Sequence, residues 1–221
     1  MVTTARDLIP PGASLEQLRS IAAGCQACDL YRNATQTVFG DGAVGAAVML
    51  VGEQPGDRED LDGEPFVGPA GAVLDRGLKQ AGIDREQAYV TNVVKHFKWR
   101  PAGKRRLHQK PNAEEIAACR PWLDTEIDLV RPSVVVCLGA TAAQALLGSA
   151  FRVSRQRGQF VSWSREPRIM ATVHPSSILR APDEEARQRE MEAFVADLSL
   201  VARSLDGSSG PSPSGQLGLG L

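Results

Sequence analysis

The chain has 221 residues, of which 43% are hydrophobic and 23% charged, ordinary values for a globular protein. The chain has 25 Lys and Arg against 26 Asp and Glu, which excludes a histone-like protein that holds nucleic acid by its total charge. Nucleic-acid binding would therefore require local basic patches. The N-terminus lacks a basic segment followed by an apolar one, and the longest uncharged run, residues 132–151, contains Gly, Ser, Thr and Gln. We therefore expect a cytoplasmic protein that does not enter a membrane.

Strand-like and helix-like segments alternate along the chain, which predicts an α/β fold with three layers, α/β/α, around a mostly parallel central sheet. We expect one domain over residues 1–204, flexible at residues 1–13, and a disordered Gly-, Ser- and Pro-rich tail at 205–221. The predicted strands are 47–51, 88–94, 133–139, 158–163 and 168–173, and the predicted helices are 15–23, 69–81, 111–130, 140–148 and 183–204.

Three polar loops follow predicted strands. They are "GEQPG" at 52–56, "NVVKH" at 92–96 and "HPSSILR" at 174–180. In parallel sheets, ligands bind beyond the carboxyl ends of the strands. The sequence therefore predicts that these loops converge on one crevice.

The four cysteines are Cys25, Cys28, Cys119 and Cys137. A redox CxxC motif would follow a strand, whereas "CQAC" follows a predicted helix. Four thiolates, two of them at CxxC spacing, favour a metal site with four cysteine ligands, and the residue types do not separate zinc from iron and sulfide. The alternative is that Cys119 and Cys137 are buried core cysteines.

A basic segment, "GKRRLHQK" at 103–110, carries four positive charges and His108 between Lys104 and Lys110, with no acid among them. Aromatic residues interleave with Lys and Arg from 95 onward, a pattern typical of proteins that bind single-stranded or flipped DNA. The alternative is a flexible basic loop in which the histidine has no special role.

Three motifs together, "GEQPGDREDLDGEPFVGPAG", "YVTNVVKH" and "HPSSILR", resemble the uracil-DNA glycosylase superfamily over roughly residues 20–200. With the four cysteines they resemble its family 4, which implies a structural 4Fe-4S cluster on Cys25, Cys28, Cys119 and Cys137. Family 4 usually has alanine where Gln54 stands and lacks the insertion that ends in "KRRLH". Both departures match the related UdgX class, whose members bond covalently to DNA through that loop histidine.

The resemblance assigns uracil binding to Asn92, Phe66, Gly52 and Asp57. An asparagine amide carries a donor and an acceptor, so it can pair with uracil N3–H and O4. The ring of Phe66 offers a flat face for stacking, and His174 would stabilise the anionic uracil at O2. Without the motifs, Asn92 and His174 are also compatible with ordinary turns, and Phe66 with a core position.

The resemblance also assigns the catalytic residues. Glu53 would stabilise the sugar cation or orient the attacking group, with Gln54 beside it, and His108 would attack C1′ in place of water. Basic side chains would hold the loop against phosphates. The residues expected to bind DNA are Lys104, Arg105, Arg106, Ser176, Ser177 and Arg180.

We therefore expect a monomeric enzyme that excises uracil from single- or double-stranded DNA and remains bonded to the abasic site through His108. One alternative is a conventional family 4 glycosylase that releases abasic DNA. A second alternative is a non-catalytic metal-cluster module that binds nucleic acid or transfers electrons. The combination of Glu53, Asn92 and His174 argues against the second alternative, because a binding module would not need all three.

Overall fold

Residues 4–161 and 167–206 are described by a computed structural model. The strands are β1 (Val48–Gly52), β2 (Ala88–Asn92), β3 (Trp99–Ala102), β4 (Arg105–His108), β5 (Val134–Leu138), β6 (Phe160–Val161) and β7 (Arg168–Thr172). The α-helices are α1 (Leu15–Ala22), α2 (Asp57–Asp62), α3 (Pro69–Ala81), α4 (Ala113–Val130), α5 (Ala140–Leu147), α6 (Val153–Gln156), α7 (Pro175–Leu179) and α8 (Glu184–Asp206).

Local signals set the ends of the long helices. Pro69 opens α3, and the chain leaves that helix at Gly82 in a left-handed conformation. At the start of α4, the Asn112 side chain accepts a hydrogen bond from the backbone of Glu115, whose side chain accepts one from the backbone of Asn112. Helix α3 therefore has the predicted bounds, and α4 begins two residues later than predicted and ends where predicted.

The main sheet has the strand order β2-β1-β5-β7-β6, and its pairs are parallel except for β6 with β7. Side chains alternate along β1, so that Val48 and Leu50 enter one apolar core and Met49 and Val51 enter the other. Helices α1, α4 and α5 pack on the face of Met49 and Val51, and helices α3, α7 and α8 pack on the face of Val48 and Leu50. The predicted three-layer α/β/α fold with a mostly parallel sheet is confirmed.

The basic segment differs from its predicted form. The sequence predicted a loop that carries His108, but β3 and β4 pair as an antiparallel hairpin whose turn is Gly103 and Lys104. Gly103 has φ of +60°, the left-handed conformation that a tight hairpin turn requires. The hairpin projects His108 from a defined strand end.

The N-terminal segment contains regular structure. Residues 1–13 were expected to be flexible, yet Ala5–Leu8 forms a 3-10 helix in which Ala5 is fully buried. The expected tail at 205–221 lies outside the described residues, except that α8 reaches Asp206. Residues 162 and 163 of the predicted strand 158–163 are also outside them. None of the described helices is long and apolar enough to span a membrane.

Candidate active site

The carboxyl ends of the parallel strands open into one cavity of about 810 Å³. Glu53 follows β1, Asn92 ends β2 and His174 follows β7, while His108 reaches the cavity from the end of β4. The loops predicted to converge therefore do so, and the structure brings all four side chains to one place.

Asn92 and Phe66 lie close together in the lining of the cavity. Asn92 is 2% exposed and lies opposite Gly52 in the register of β1 and β2. A Cβ atom at Gly52 would collide with Asn92 Oδ1 and would lie only 2.7 Å from Phe66 Cζ. Glycine at this position therefore allows the amide and the aromatic ring to approach each other closely.

Phe66 adopts a backbone conformation that is uncommon for an aromatic residue, with φ of +59°. Its ring stacks toward the imidazole of His174, with centroids 6.1 Å apart and an interplanar angle of 29°. Strained backbone is often found at binding sites, where the surrounding structure holds a side chain in place. The conformation of Phe66 thus presents its ring to the cavity.

His174 is held as a neutral hydrogen-bond donor. Its Nδ1 accepts a hydrogen bond from the backbone N–H of Ser176 at 3.2 Å, which leaves the ring proton on Nε2. Burial lowers the pKa of His174 from 6.5 to about 4, although the charge of Glu53 opposes this shift. At neutral pH the ring is therefore uncharged.

Glu53 connects two elements. His108 Nε2 lies 3.1 Å from Glu53 Oε1, and the Thr141 hydroxyl donates to Glu53 Oε2. Burial alone would raise the pKa of Glu53, but the hydrogen bonds from His108 and Thr141 lower it overall, aided by the nearby histidines. The carboxylate is consequently ionised at neutral pH and directly contacts the imidazole of His108.

Gln54 was assigned a catalytic role by resemblance, and in the structure it clamps the base of the hairpin. Its Nε2 donates to the carbonyls of Lys98 and Gln109, both at 3.1 Å, and its Oε1 accepts from the Lys98 N–H at 3.1 Å. The side chain is 6% exposed. Gln54 therefore acts on the position of His108 through the backbone.

Arg106 was predicted to bind phosphate, but the structure turns it inward. Its guanidinium pairs with Asp57 at 2.5 Å and with the fully buried Asp60 at 2.6 Å. It also lies over the rings of Phe97 and Trp99, each 5.5 Å from its centroid. Asp57 lines the cavity, yet its carboxylate is engaged by Arg106, which differs from the uracil-binding role predicted for it.

The other predicted DNA-binding residues separate into two groups. Lys104 and Arg105 are exposed at the turn and start of β4, and Arg180 is exposed at the end of α7, where it lines the cavity. Ser176 and Ser177 instead use their hydroxyls on His174: Ser176 Oγ is 2.8 Å from Nδ1, and Ser177 Oγ donates to the His174 carbonyl at 2.8 Å. Both serines therefore support His174.

Thr141 and Lys110 are among the cavity residues that were missed from the sequence. Thr141 lies in the first turn of α5, directly after β5, and Lys110 follows β4. The rule that ligands bind beyond the carboxyl ends of parallel strands also covers the "GAT" that follows "VVVCL". That rule was the available signal for Thr141, whereas the basic segment gave no sign that Lys110 would reach the cavity.

The four cysteines are free thiols; three of them are buried in the core on the α4 face of the sheet, and Cys28 packs against that core. Cys25 and Cys119 accept N–H hydrogen bonds, from Trp122 Nε1 at 3.4 Å and from the Lys95 backbone at 3.3 Å. Burial raises the pKa of Cys119 and of Cys137 to about 12. Within residues 4–161 and 167–206, no three Cys, His, Asp or Glu side chains are placed to hold a metal ion. The four thiols are nevertheless the donor set of an iron–sulfur cluster, in which each cysteine binds a different iron atom and the ligands need not meet at one ion.

Known proteins resemble this chain across the whole site. Residues 39–199 match the uracil DNA glycosylase superfamily, a range that includes every residue lining the cavity. The chain is 39% identical to the Type-4 uracil-DNA glycosylase of Thermotoga maritima over 180 residues, 81% of this chain and 90% of that protein. It is 36% identical to the Type-4 enzyme of Sulfurisphaera tokodaii, over 86% of this chain and 87% of that one. The chain belongs to the uracil DNA glycosylase superfamily.

Proposed function

We propose that this protein excises uracil from DNA. The proposal is carried by the geometry of the cavity, in which the Asn92 amide, the Phe66 ring and the neutral His174 surround one space. The amide would pair with N3–H and O4 of a flipped uracil, and the Nε2–H of His174 would donate to O2. As the C1′–N1 bond breaks, its electron pair passes to uracil, and His174 stabilises the developing anion.

The test uses labelled oligonucleotides with one uracil or one thymine, each single-stranded and in duplex. We expect alkali-sensitive cleavage or protein attachment with uracil only. The His174→Ala variant should lose about 100-fold to 1,000-fold in excision rate, the scale of one oxyanion donor. Equal binding of both oligonucleotides with no change to either would support the non-catalytic metal-cluster module instead.

We further propose that His108 captures the sugar, as in the UdgX class that the sequence resembles. The carboxylate of Glu53 stabilises the cation at C1′, and His108 Nε2 is 3.1 Å from that carboxylate. When the Nε2–C1′ bond forms, the Nε2 proton passes to Glu53, so that charge and atoms balance. The conventional alternative is a family 4 reaction in which Glu53 directs water to C1′ and abasic DNA is released.

A denaturing gel separates these two reactions. Single-turnover mixtures with uracil DNA should give a slow band that survives boiling in detergent, and peptide mapping should place the bond on His108. The His108→Gly variant should lose the band and release abasic DNA, whereas Leu107→Ala, an exposed neighbour in the same strand, should retain it. Persistence of the band in His108→Gly would show that another residue is the nucleophile.

Exposed positive side chains of the hairpin and of the cavity edge are proposed to bind the DNA backbone. Lys104, Arg105 and Arg180 are exposed, and neutralising phosphates releases counterions.

We also propose that Cys25, Cys28, Cys119 and Cys137 hold a 4Fe-4S cluster with a structural role, supported by the four unpaired thiols and the N–H donors to two of them. Such a cluster would supply cross-links between the N-terminal segment, α4 and β5, and no step of the excision passes through it.

Metal and sulfide analysis of the purified protein tests the cluster. We expect about four irons per chain with visible thiolate-to-iron absorbance, both lost in the Cys119→Ser variant. Zinc in place of iron, or no metal at all, would contradict the proposal.

A further inference from the structure

A buried ion pair lies directly beneath Asn92. Lys95 Nζ is 2.5 Å from Glu126 Oε2, and both side chains are fully buried. The ammonium also donates to Thr91 Oγ1 at 2.5 Å and to the Asn92 carbonyl at 2.8 Å. These contacts use all three of its hydrogens.

The carboxylate of Glu126 is equally enclosed. It accepts from the Gly40 N–H at 3.0 Å and from the Tyr89 hydroxyl at 2.9 Å, and the Thr91 hydroxyl lies 3.0 Å from both of its oxygens. A side chain at position 40 would collide with Glu126 and with Tyr89, so only glycine fits there. Because burying two charges costs more than packing apolar residues of the same volume, stability alone does not account for the pair.

The ion pair holds the end of β2 at the cavity. After Asn92 the chain leaves the sheet, and the N–H groups of Val93 and Val94 donate to the carbonyls of Gly52 and Glu53. The contact from Lys95 to the Asn92 carbonyl fixes the remaining peptide group at this point. The direction of the Asn92 side chain depends on that backbone, and recognition sites require alignment within about 0.5 Å.

We propose that Lys95 and Glu126 are positioning residues for base recognition, a role that rests on the proposed excision of uracil. They hold the backbone of Asn92 so that its amide meets the Watson–Crick edge of the flipped base. Neither side chain touches the base, because both are fully buried beneath the cavity floor.

A double-mutant cycle tests this role. The substitutions Lys95→Met and Glu126→Gln are combined in one protein, so that no lone charge remains buried. This double substitution is introduced both into the unmodified chain and into the Asn92→Ala variant. Single-turnover excision is measured at saturating single-stranded uracil DNA. We expect a loss of about 10-fold to 100-fold with Asn92 present, the effect of a misplacement of about 1 Å, with an unchanged Kd for DNA. In the Asn92→Ala background the same double substitution should cause no further loss of excision rate.

Equal losses in both backgrounds, or no loss with Asn92 present, would overturn the proposal. Leu198→Ala is the control, since Leu198 is buried in the opposite core and should lower Tm without changing the excision rate. If the Lys95→Met, Glu126→Gln protein does not fold, Thr91→Val removes the hydroxyl shared by both charges and should show the same dependence on Asn92 with a smaller loss. Absence of excision by the unmodified chain would instead refute the proposed function.

Discussion

Glu53 depends on hydrogen-bond donors from two different elements. Thr141 at the start of α5 donates to one carboxylate oxygen, and His108 at the end of β4 contacts the other. Together they keep the pKa of Glu53 low despite its burial. The hydroxyl of Thr141 thus helps to set both the charge of Glu53 and the oxygen that faces His108.

Replacing Thr141 by valine should raise the pKa of Glu53, because a donor to the charged form is lost. The rate of covalent capture should fall by about tenfold, the equivalent of one hydrogen bond to a charged group. In a pH profile of single-turnover capture, the acidic limb should move to higher pH. Thr141→Ser should restore the original limb, and an unchanged limb in Thr141→Val would exclude this role for Thr141.

At the scale of an element, Gln54 and Arg106 are two of the side chains that attach the β3–β4 hairpin to the fold. Gln54 binds the backbone at its base, and Arg106 ties β4 to Asp57 and Asp60. Its neighbour Arg105 is exposed. The two adjacent arginines therefore have different surroundings, since alternate side chains of a strand point to opposite faces.

Arg106→Ala and Arg105→Ala form a matched pair of variants. Arg106→Ala leaves the buried Asp60 carboxylate without its cation, so covalent capture at saturating DNA should slow by about 100-fold. Arg105→Ala should leave that rate unchanged and instead weaken DNA binding, with the salt slope of the affinity reduced by about 1. The same salt dependence in both variants would mean that both arginines bind phosphate.

The clamp at Gln54 predicts a separation of excision from capture. Gln54→Ala removes three hydrogen bonds to the hairpin backbone and should slow capture more than excision. Quenched-flow sampling of free uracil and of the protein–DNA band gives both rates. An equal decrease in the two rates would assign Gln54 to the excision step itself.

At the scale of the whole molecule, two histidines link stability to pH. His96 is 4% exposed and hydrogen-bonds Thr37 at 2.9 Å, and burial lowers its pKa, like that of His174, from 6.5 to about 4. Below pH 6.5 the unfolded chain therefore binds more protons than the folded one. The contribution of the two histidines to stability is therefore fully present above pH 6.5 and is lost as the pH falls toward 4.

Between pH 6.5 and 4.5, the free energy of unfolding should decrease by about 1 kcal/mol per pH unit for each of these histidines. Urea unfolding at a series of pH values measures this slope. His96→Gln lies outside the cavity and should remove about half of it. If the variant keeps the full slope, other groups are responsible for the acid sensitivity.

The sequence by itself determined the layered fold, the ends of α3 and α4, and the loops that supply Glu53, Asn92 and His174. These features follow from strand order and from capping contacts between residues a few positions apart. Motif resemblance, together with the same strand-end rule, also identified Glu53, Asn92, His108 and His174, four of the residues that meet in the cavity.

Only the tertiary structure decided which side chains are partnered. Arg106 binds Asp60 across 46 residues, Thr141 binds Glu53 across 88, and Lys95 binds Glu126 across 31. A run of positive charges in the sequence predicts a DNA-binding surface. Only the folded structure shows which of these charges face buried acids instead. The physical reason is that hydrogen bonds and desolvation depend on neighbours in space, and those neighbours are brought together by folding of the sheet and its covering helices.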